Sequence, residues 1–129
     1  MSHQFGLKVY YEDTDMGGIV YYANYLKFIE RARSTWVAEL GVDQLALHAS
    51  GFVFTVKNIS AQYLVPARMG DNLLVFSSVI TSTAARWVLK QTVKRDEIVL
   101  FTAEVTIVAI GLGGYPKRLP IEIRRILPL

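Results

Sequence analysis

YLKFIERARSTWVAELG, running from Tyr25 to Gly41, is the stretch on which the fold turns. Tyr25, Phe28, Ile29, Ala32, Trp36, Val37 and Leu40 recur at steps of three and four, while Lys27, Glu30, Arg31, Ser34 and Glu39 fill the other side. That period predicts an amphipathic helix of about five turns with a wide apolar face. Gly41 follows directly and suits the left-handed conformation that closes a helix.

On the N-terminal side, Phe5, Leu7, Val9 and Tyr11 alternate within Gln4 to Glu12, which predicts a half-buried first strand. On the C-terminal side, VDQLALHAS predicts a short helix with Asp43 near its start, broken by Gly51. Four strands rich in β-branched and aromatic residues follow: FVFTVKNISAQYL, NLLVFSSVITS, RWVLKQTVKR and EIVLFTAEVTIVAI. In the first of these the apolar parity switches from Phe52, Phe54 and Val56 to Ile59, Ala61 and Tyr63, so a bulge is expected near Lys57 and Asn58. The joins ARMGDN, TAA and RDE are too short for parallel crossovers and predict an antiparallel meander. GLGGYPKRLP ends the last strand and leads into an amphipathic tail, IEIRRIL. A long helix followed by a long, curved sheet is most economically buried by wrapping one around the other. The expected class is therefore α+β, a hotdog fold, with a central helix inside a mostly antiparallel five-stranded sheet.

Composition sets limits on this picture. At 129 residues the chain makes one domain, 1–129, without repeats or linkers. A hydrophobic share of 52% and a mean hydropathy of +0.30 are high for so small a chain and point to apolar surface buried between subunits, hence a homodimer or a dimer of dimers. No run of apolar residues is long enough to span a membrane and the first residues lack the features of a signal peptide, so a cytoplasmic protein is expected. The absence of cysteine excludes disulfides, thiolate catalysis and sulfur-ligated zinc, and no metal site is expected. The net charge of +3 suits phosphate-bearing ligands. Nucleic acid is not expected, because aromatic and basic residues are not interleaved on one strand face.

The chemistry is narrowed by elimination. The histidines are His3, in a terminus expected to fray, and His48, and no G-x-S-x-G elbow accompanies them, so a serine hydrolase is not supported. The GLGG glycines open no helix and read as a turn. A calcium loop starting at Asp13 fails, with Gly17 and Asn24 where ligands should stand. The crowded acids Glu12, Asp13 and Asp15 could cap a helix, solvate a loop or pair with a basic neighbour. Their setting offers another role. Gly17 and Gly18 let a ligand come close to Asp15, and the first amides of the long helix, near Tyr21 to Tyr25, are unpaired donors at the positive end of its dipole. Amides that polarise a carbonyl beside a carboxylate that attacks it or activates water make a minimal acyl-transfer centre.

YEDTDMGGIVYYANYLKFIERAR, Tyr11 to Arg33, resembles the signature of the 4-hydroxybenzoyl-CoA thioesterase family of hotdog proteins, most closely its Tol-Pal-associated acyl-CoA thioesterase branch. AQYLVPARMGDNLLV resembles the second recurrent segment of that family, with Tyr63, Pro66, Ala67, Gly70 and Asp71 in place. The resemblance implies that Asp15 is the catalytic carboxylate and that the carbonyl-polarising donor is the backbone amide at or next to Tyr22. Many members of the Tol-Pal branch carry histidine at this position, whereas the tyrosine here matches the 4-hydroxybenzoyl-specific enzymes. The implied reaction is hydrolysis of a short-chain or aromatic acyl-CoA, with coenzyme A as part of the substrate and no separate cofactor. Gly17, Gly18, Tyr21, Asn24 and Tyr25 are the candidate substrate contacts around that centre. For the phosphates of coenzyme A, Arg86, Lys90 and Lys94 would share the outward face of one strand opposite Trp87, Leu89 and Val93, and Arg68 is an alternative. An acyl carrier protein could replace coenzyme A as thiol carrier. The competing expectation is a binding partner for acyl-CoA or acyl carrier protein in envelope lipid metabolism, with little turnover.

Overall fold

The structure, a computed structural model, describes residues 1–126. Its elements run β1 (Ser2–Lys8), a 3-10 turn (Tyr11–Asp13), α1 (Asn24–Glu39), α2 (Gln44–Ala49), β2 (Phe52–Tyr63), β3 (Asn72–Ser82), β4 (Trp87–Arg95), β5 (Ile98–Gly111), a two-residue β6 (Pro116–Lys117) and α3 (Ile121–Arg124). The long strands form one antiparallel sheet in the order β1-β3-β4-β5-β2, with β6 added to β5. This is the expected helix-and-sheet arrangement with one extra, very short strand.

The apolar face of α1 is buried as its period dictates, with Tyr25, Phe28, Ile29, Ala32, Trp36 and Val37 all in the core. They meet the inward residues of the sheet: Leu73, Val75 and Val79 from β3, Trp87, Leu89 and Val93 from β4, and Phe101 to Ala109 at alternate positions of β5. Gly41 closes the helix at φ +91. Asp43 caps α2 by accepting from the Leu45 and Ala46 N–H groups at 3.0 and 3.2 Å. The parity switch in β2 corresponds to a register shift between Val56 and Asn58 against β5. The GLGG glycines do form a turn, with Gly113 and Gly114 at φ +87 and +85.

Three expectations are corrected. The first strand ends at Lys8 instead of Glu12. Asp13 Oδ2 accepts the Tyr10 N–H at 2.9 Å, and this local bond folds Tyr11–Asp13 into a 3-10 turn. The meander comprises only β3, β4 and β5, since β2 pairs with β5 and the ARMGDN segment is not a hairpin. That link crosses the sheet end: Leu64 and Val65 N–H donate to Leu100 O, Arg95 Nη1 donates to Pro66 O, and Ala67 N–H donates to Tyr25 Oη. His3 is not frayed. It lies in β1 opposite Ser77, stacks on Trp36, and places Nε2 2.7 Å from Glu39 Oε2.

The tail begins as α3, with Ile123 buried; its expected last residue, Leu127, lies outside the described residues. Among the described residues no helix is long and apolar enough to cross a membrane.

Candidate active site

The acidic segment folds into a hairpin that ends at α1. Thr14 bridges Val20, Tyr21 N–H donates to Asp13 O, and Asp15 N–H donates to Ile19 O. The turn at its tip is closed by Gly18 N–H donating to Asp15 O at 3.0 Å, with Gly18 at φ +75. A side chain there would be strained, so glycine is required by the backbone itself. Gly17 has a different reason: a Cβ at this position would stand 3.2 Å from Asp15 Oδ1. Its amide instead donates to that oxygen at 2.8 Å. The Asp15 carboxylate is thus exposed, oriented by one backbone donor, and without an ion-pair partner among the described residues.

The other two acids do different work. Asp13 is buried; its carboxylate holds Tyr10, and its carbonyl accepts both Tyr21 N–H and Asn24 Nδ2, each at 2.9 Å. Asn24 therefore fastens the loop to the first turn of α1. Glu12 is exposed in the 3-10 turn and ends no strand.

At the start of α1 the N-cap is Ala23, which has no side chain able to cap the helix. No acceptor among the described residues takes the N–H of Tyr22 or Ala23. These donors point from the positive end of a four-turn helix, the setting in which a carbonyl oxygen or anion is stabilised. Tyr22 is held by a residue distant in sequence: Tyr63 Oη donates to Tyr22 O at 3.0 Å, and the two rings meet edge to face at 6.2 Å. Burial and the neighbouring Tyr22 push the Tyr63 phenol up from its ordinary value.

Tyr22, Tyr25, Tyr63, Val20, Leu64 and Pro66 line a cavity of ≈ 270 Å³ beside these amides. Tyr25 is also core, stacked on Phe101 at 5.0 Å, whereas Tyr21 is half-exposed and packs on Tyr22 at 4.9 Å.

The basic candidates separate. Arg68 bridges Ile19 through the backbone, which brings it to the hairpin. Its N–H donates to Asp71 Oδ2 at 2.8 Å, and the same oxygen accepts Arg95 Nη1 at 2.8 Å. Burial raises the Asp71 carboxyl, but the Arg68 amide and the Arg95 guanidinium outweigh it and hold the group below its ordinary value. Arg86 and Lys90 are elsewhere. Arg86 lies in the β3–β4 turn, where its N–H donates to Thr83 Oγ1 at 3.0 Å, at the sheet end opposite the Arg95 end of β4. Lys90 projects from the outward face of β4 with Ser78 and Glu104 as cross-strand neighbours. The expected basic stripe is corrected accordingly: Trp87, Leu89 and Val93 face inward as read, but Arg86 precedes the strand and takes no part in its face.

Sequence reasoning gave Tyr63 no role of its own. Its bond to Tyr22 spans 41 residues, and no local pattern announces it.

Residues 9–127 match the thioesterase-like superfamily. The chain belongs to that superfamily. It is 36% identical over 122 residues to the acyl-CoA thioesterase YbgC of Haemophilus influenzae, covering 93% of this chain and 90% of that one. The acyl-CoA thioester hydrolase YbgC of Escherichia coli O157:H7 is likewise 36% identical over 116 residues, covering 88% and 87%. Among solved structures, a probable thioesterase from Bartonella henselae superposes with a TM-score of 0.88 at 34% identity, covering 93% of this chain and all of that one (100%). The hotdog thioesterase fold is thus shared along nearly the whole chain, and the hairpin with its glycines lies inside the matched region.

Proposed function

We propose that this member of the superfamily hydrolyses an acyl-CoA thioester, with Asp15 as the reacting carboxylate and the Tyr22 amide as the oxyanion donor. The observation that carries the reading is the juxtaposition, on one hairpin, of an exposed, backbone-oriented carboxylate and unpaired amides at a helix start. The thioester carbonyl sits against the Tyr22 N–H, which stabilises the growing negative charge; one such donor is typically worth about 3 to 4 kcal/mol in the transition state. Asp15 then either attacks the carbonyl carbon, giving a mixed anhydride and releasing the thiol, or takes a proton from an attacking water. In the first route water cleaves the anhydride and regenerates the carboxylate; both routes end in free acid and free thiol.

The tyrosine-lined cavity favours an aromatic or short acyl group. Arg68, tied to the hairpin, is assigned to a phosphate of coenzyme A. The β2 edge, with Val56, Ile59 and Tyr63 exposed, supports a homodimer as the working unit. Free-thiol release from a panel of short, long and aromatic acyl-CoAs tests the reading. Turnover on the short or aromatic members is expected, and release from none of them would leave binding without hydrolysis as the function.

A further inference from the structure

At the sheet end where β4 begins, three segments are packed together: the β3–β4 turn, the β5–β6 hairpin and α3. Leu119 N–H donates to Ala84 O at 2.8 Å, Ser82 Oγ donates to Ile123 O at 3.0 Å, and Leu119, Ile123 and Ile126 are buried. The place of β6 follows from its pairing. Ala109 and Ile110 of β5 pair with Phe54 and Val53 of β2 on one side and with Lys117 and Pro116 of β6 on the other. A strand has two edges, so β6 lies on the flank of β5 that β4 occupies from Trp87 onward. It therefore stands next to Arg86, on the opposite flank of β5 from the β2 edge assigned above to a second copy.

This end of the molecule concentrates positive charge. Arg86, Lys117, Arg118, Arg124 and Arg125 meet one carboxylate, Glu122, and no other acid occurs from Thr81 to Arg95 or from Gly111 to Ile126. None of the five cations has an ion-pair partner among the described residues. Arg124 donates Nε to Leu119 O at 2.9 Å, and the other four are exposed. Since the whole chain carries only +3, this end is more positive than the molecule itself and the remainder is slightly acidic. Apolar side chains stand among these charges. Leu112 and Tyr115, at the tip of the β5–β6 hairpin, are 79% and 71% exposed, and Ile121 at the start of α3 is 42% exposed. The tip is shaped by glycine: Gly113 and Gly114 have positive φ, and the Tyr115 ring lies 3.1 Å from where a Gly113 Cβ would stand.

We propose that this end of the molecule is a peripheral docking surface for an anionic lipid bilayer, with Arg86, Lys117, Arg118 and Arg125 at the headgroup phosphates and the Leu112–Tyr115 tip inserted among them. A basic patch alone fits any polyanion. The exposed tip narrows the choice, because at a bilayer surface the cations meet phosphates while a leucine and an amphipathic tyrosine ring enter the boundary with the acyl chains. The surface lies at the opposite end of β4 from Arg95, whose partner Asp71 is joined through Arg68 to the Asp15 hairpin. Docking therefore leaves that hairpin open to solvent.

The test is co-sedimentation of the full chain with vesicles of phosphatidylcholine alone and of phosphatidylcholine mixed with phosphatidylglycerol. Binding is expected to the mixed vesicles and not to the neutral ones, and added salt should weaken it. Arg118→Gln and Arg125→Gln should each weaken it about fivefold at an unchanged melting temperature. Leu112→Ser combined with Tyr115→Ser leaves every charge in place and should weaken it about tenfold or more. Failure to bind the mixed vesicles would overturn the proposal, as would binding that either set of variants leaves unchanged. Saturable, Arg118-dependent binding of poly-glutamate in place of vesicles would also overturn it and assign the patch to an acidic protein.

Discussion

At the scale of single residues, the hairpin distinguishes two glycines by mechanism, and substitutions should separate them. Gly17→Ala keeps an allowed backbone but sets a Cβ 3.2 Å from Asp15 Oδ1. The carboxylate must give way by a few tenths of an ångström, so turnover should fall several-fold while the melting temperature stays within a degree or two. Gly18→Ala has free space around its Cβ but is held at φ +75. It should destabilise the protein by about 1 kcal/mol in denaturant titrations. Asp71 yields a pH prediction. Its folded carboxyl is held below the ordinary value of 3.8, so it binds fewer protons than in the unfolded chain. Its contribution to stability is present at neutral pH and is lost as pH falls from about 4 through the depressed value. Asp71→Asn should unfold more easily at pH 7 and show a flatter stability profile below pH 4, measured by urea titration at a series of pH values. An unchanged profile would mean that the Arg68 and Arg95 bonds do not act as described.

At the scale of elements, what the sequence reveals depends on how far the decisive partner lies along the chain. The long helix was legible because its period is internal, and the β2 bulge because an apolar parity change records it within one strand. The end of β1 was hidden, since the alternation runs on through Val9 and Tyr11 and only the capture of Tyr10 N–H by Asp13 stops it. The crossing of the β2–β3 link was hidden for the same kind of reason: its bonds go to Leu100, Arg95 and Tyr25, none of them local. The burial of Arg33 depends on Gln91, 58 residues away. Within the site, the turn that carries Asp15 was readable from its acids and glycines, whereas the support of the Tyr22 end by Tyr63 was not. Tyr63→Phe tests that support. Losing one partly exposed hydrogen bond should cost about 1 kcal/mol or less in stability. If the bond also sets the position of the Tyr22 amide, kcat should drop several-fold with little change in KM, and a change in KM alone would assign Tyr63 to substrate binding instead.

At the scale of the whole molecule, the β2 edge leaves backbone groups unpaired next to Val56 and Ile59, exposed at 45% and 37%. A second copy is the natural cover for such an edge. Sedimentation velocity should show a dimer or larger, and Ile59→Glu should shift it towards monomer; a monomeric wild type would remove this part of the account. The fold as a whole sets one exposed carboxylate, Asp15, on the hairpin that leads into the start of α1, and that is where the proposed function rests. Asp15→Asn preserves the acceptor for the Gly17 N–H and so the shape of the turn, while removing the charge to which the proposed reaction assigns attack or activation of water. The deciding measurement is kcat of Asp15→Asn against wild type on the acyl-CoA that wild type cleaves best, with circular dichroism and melting temperature recorded on the same samples. The account predicts superimposable spectra and a kcat lowered about 100-fold or more; a correctly folded variant turning over at the wild-type rate would contradict it.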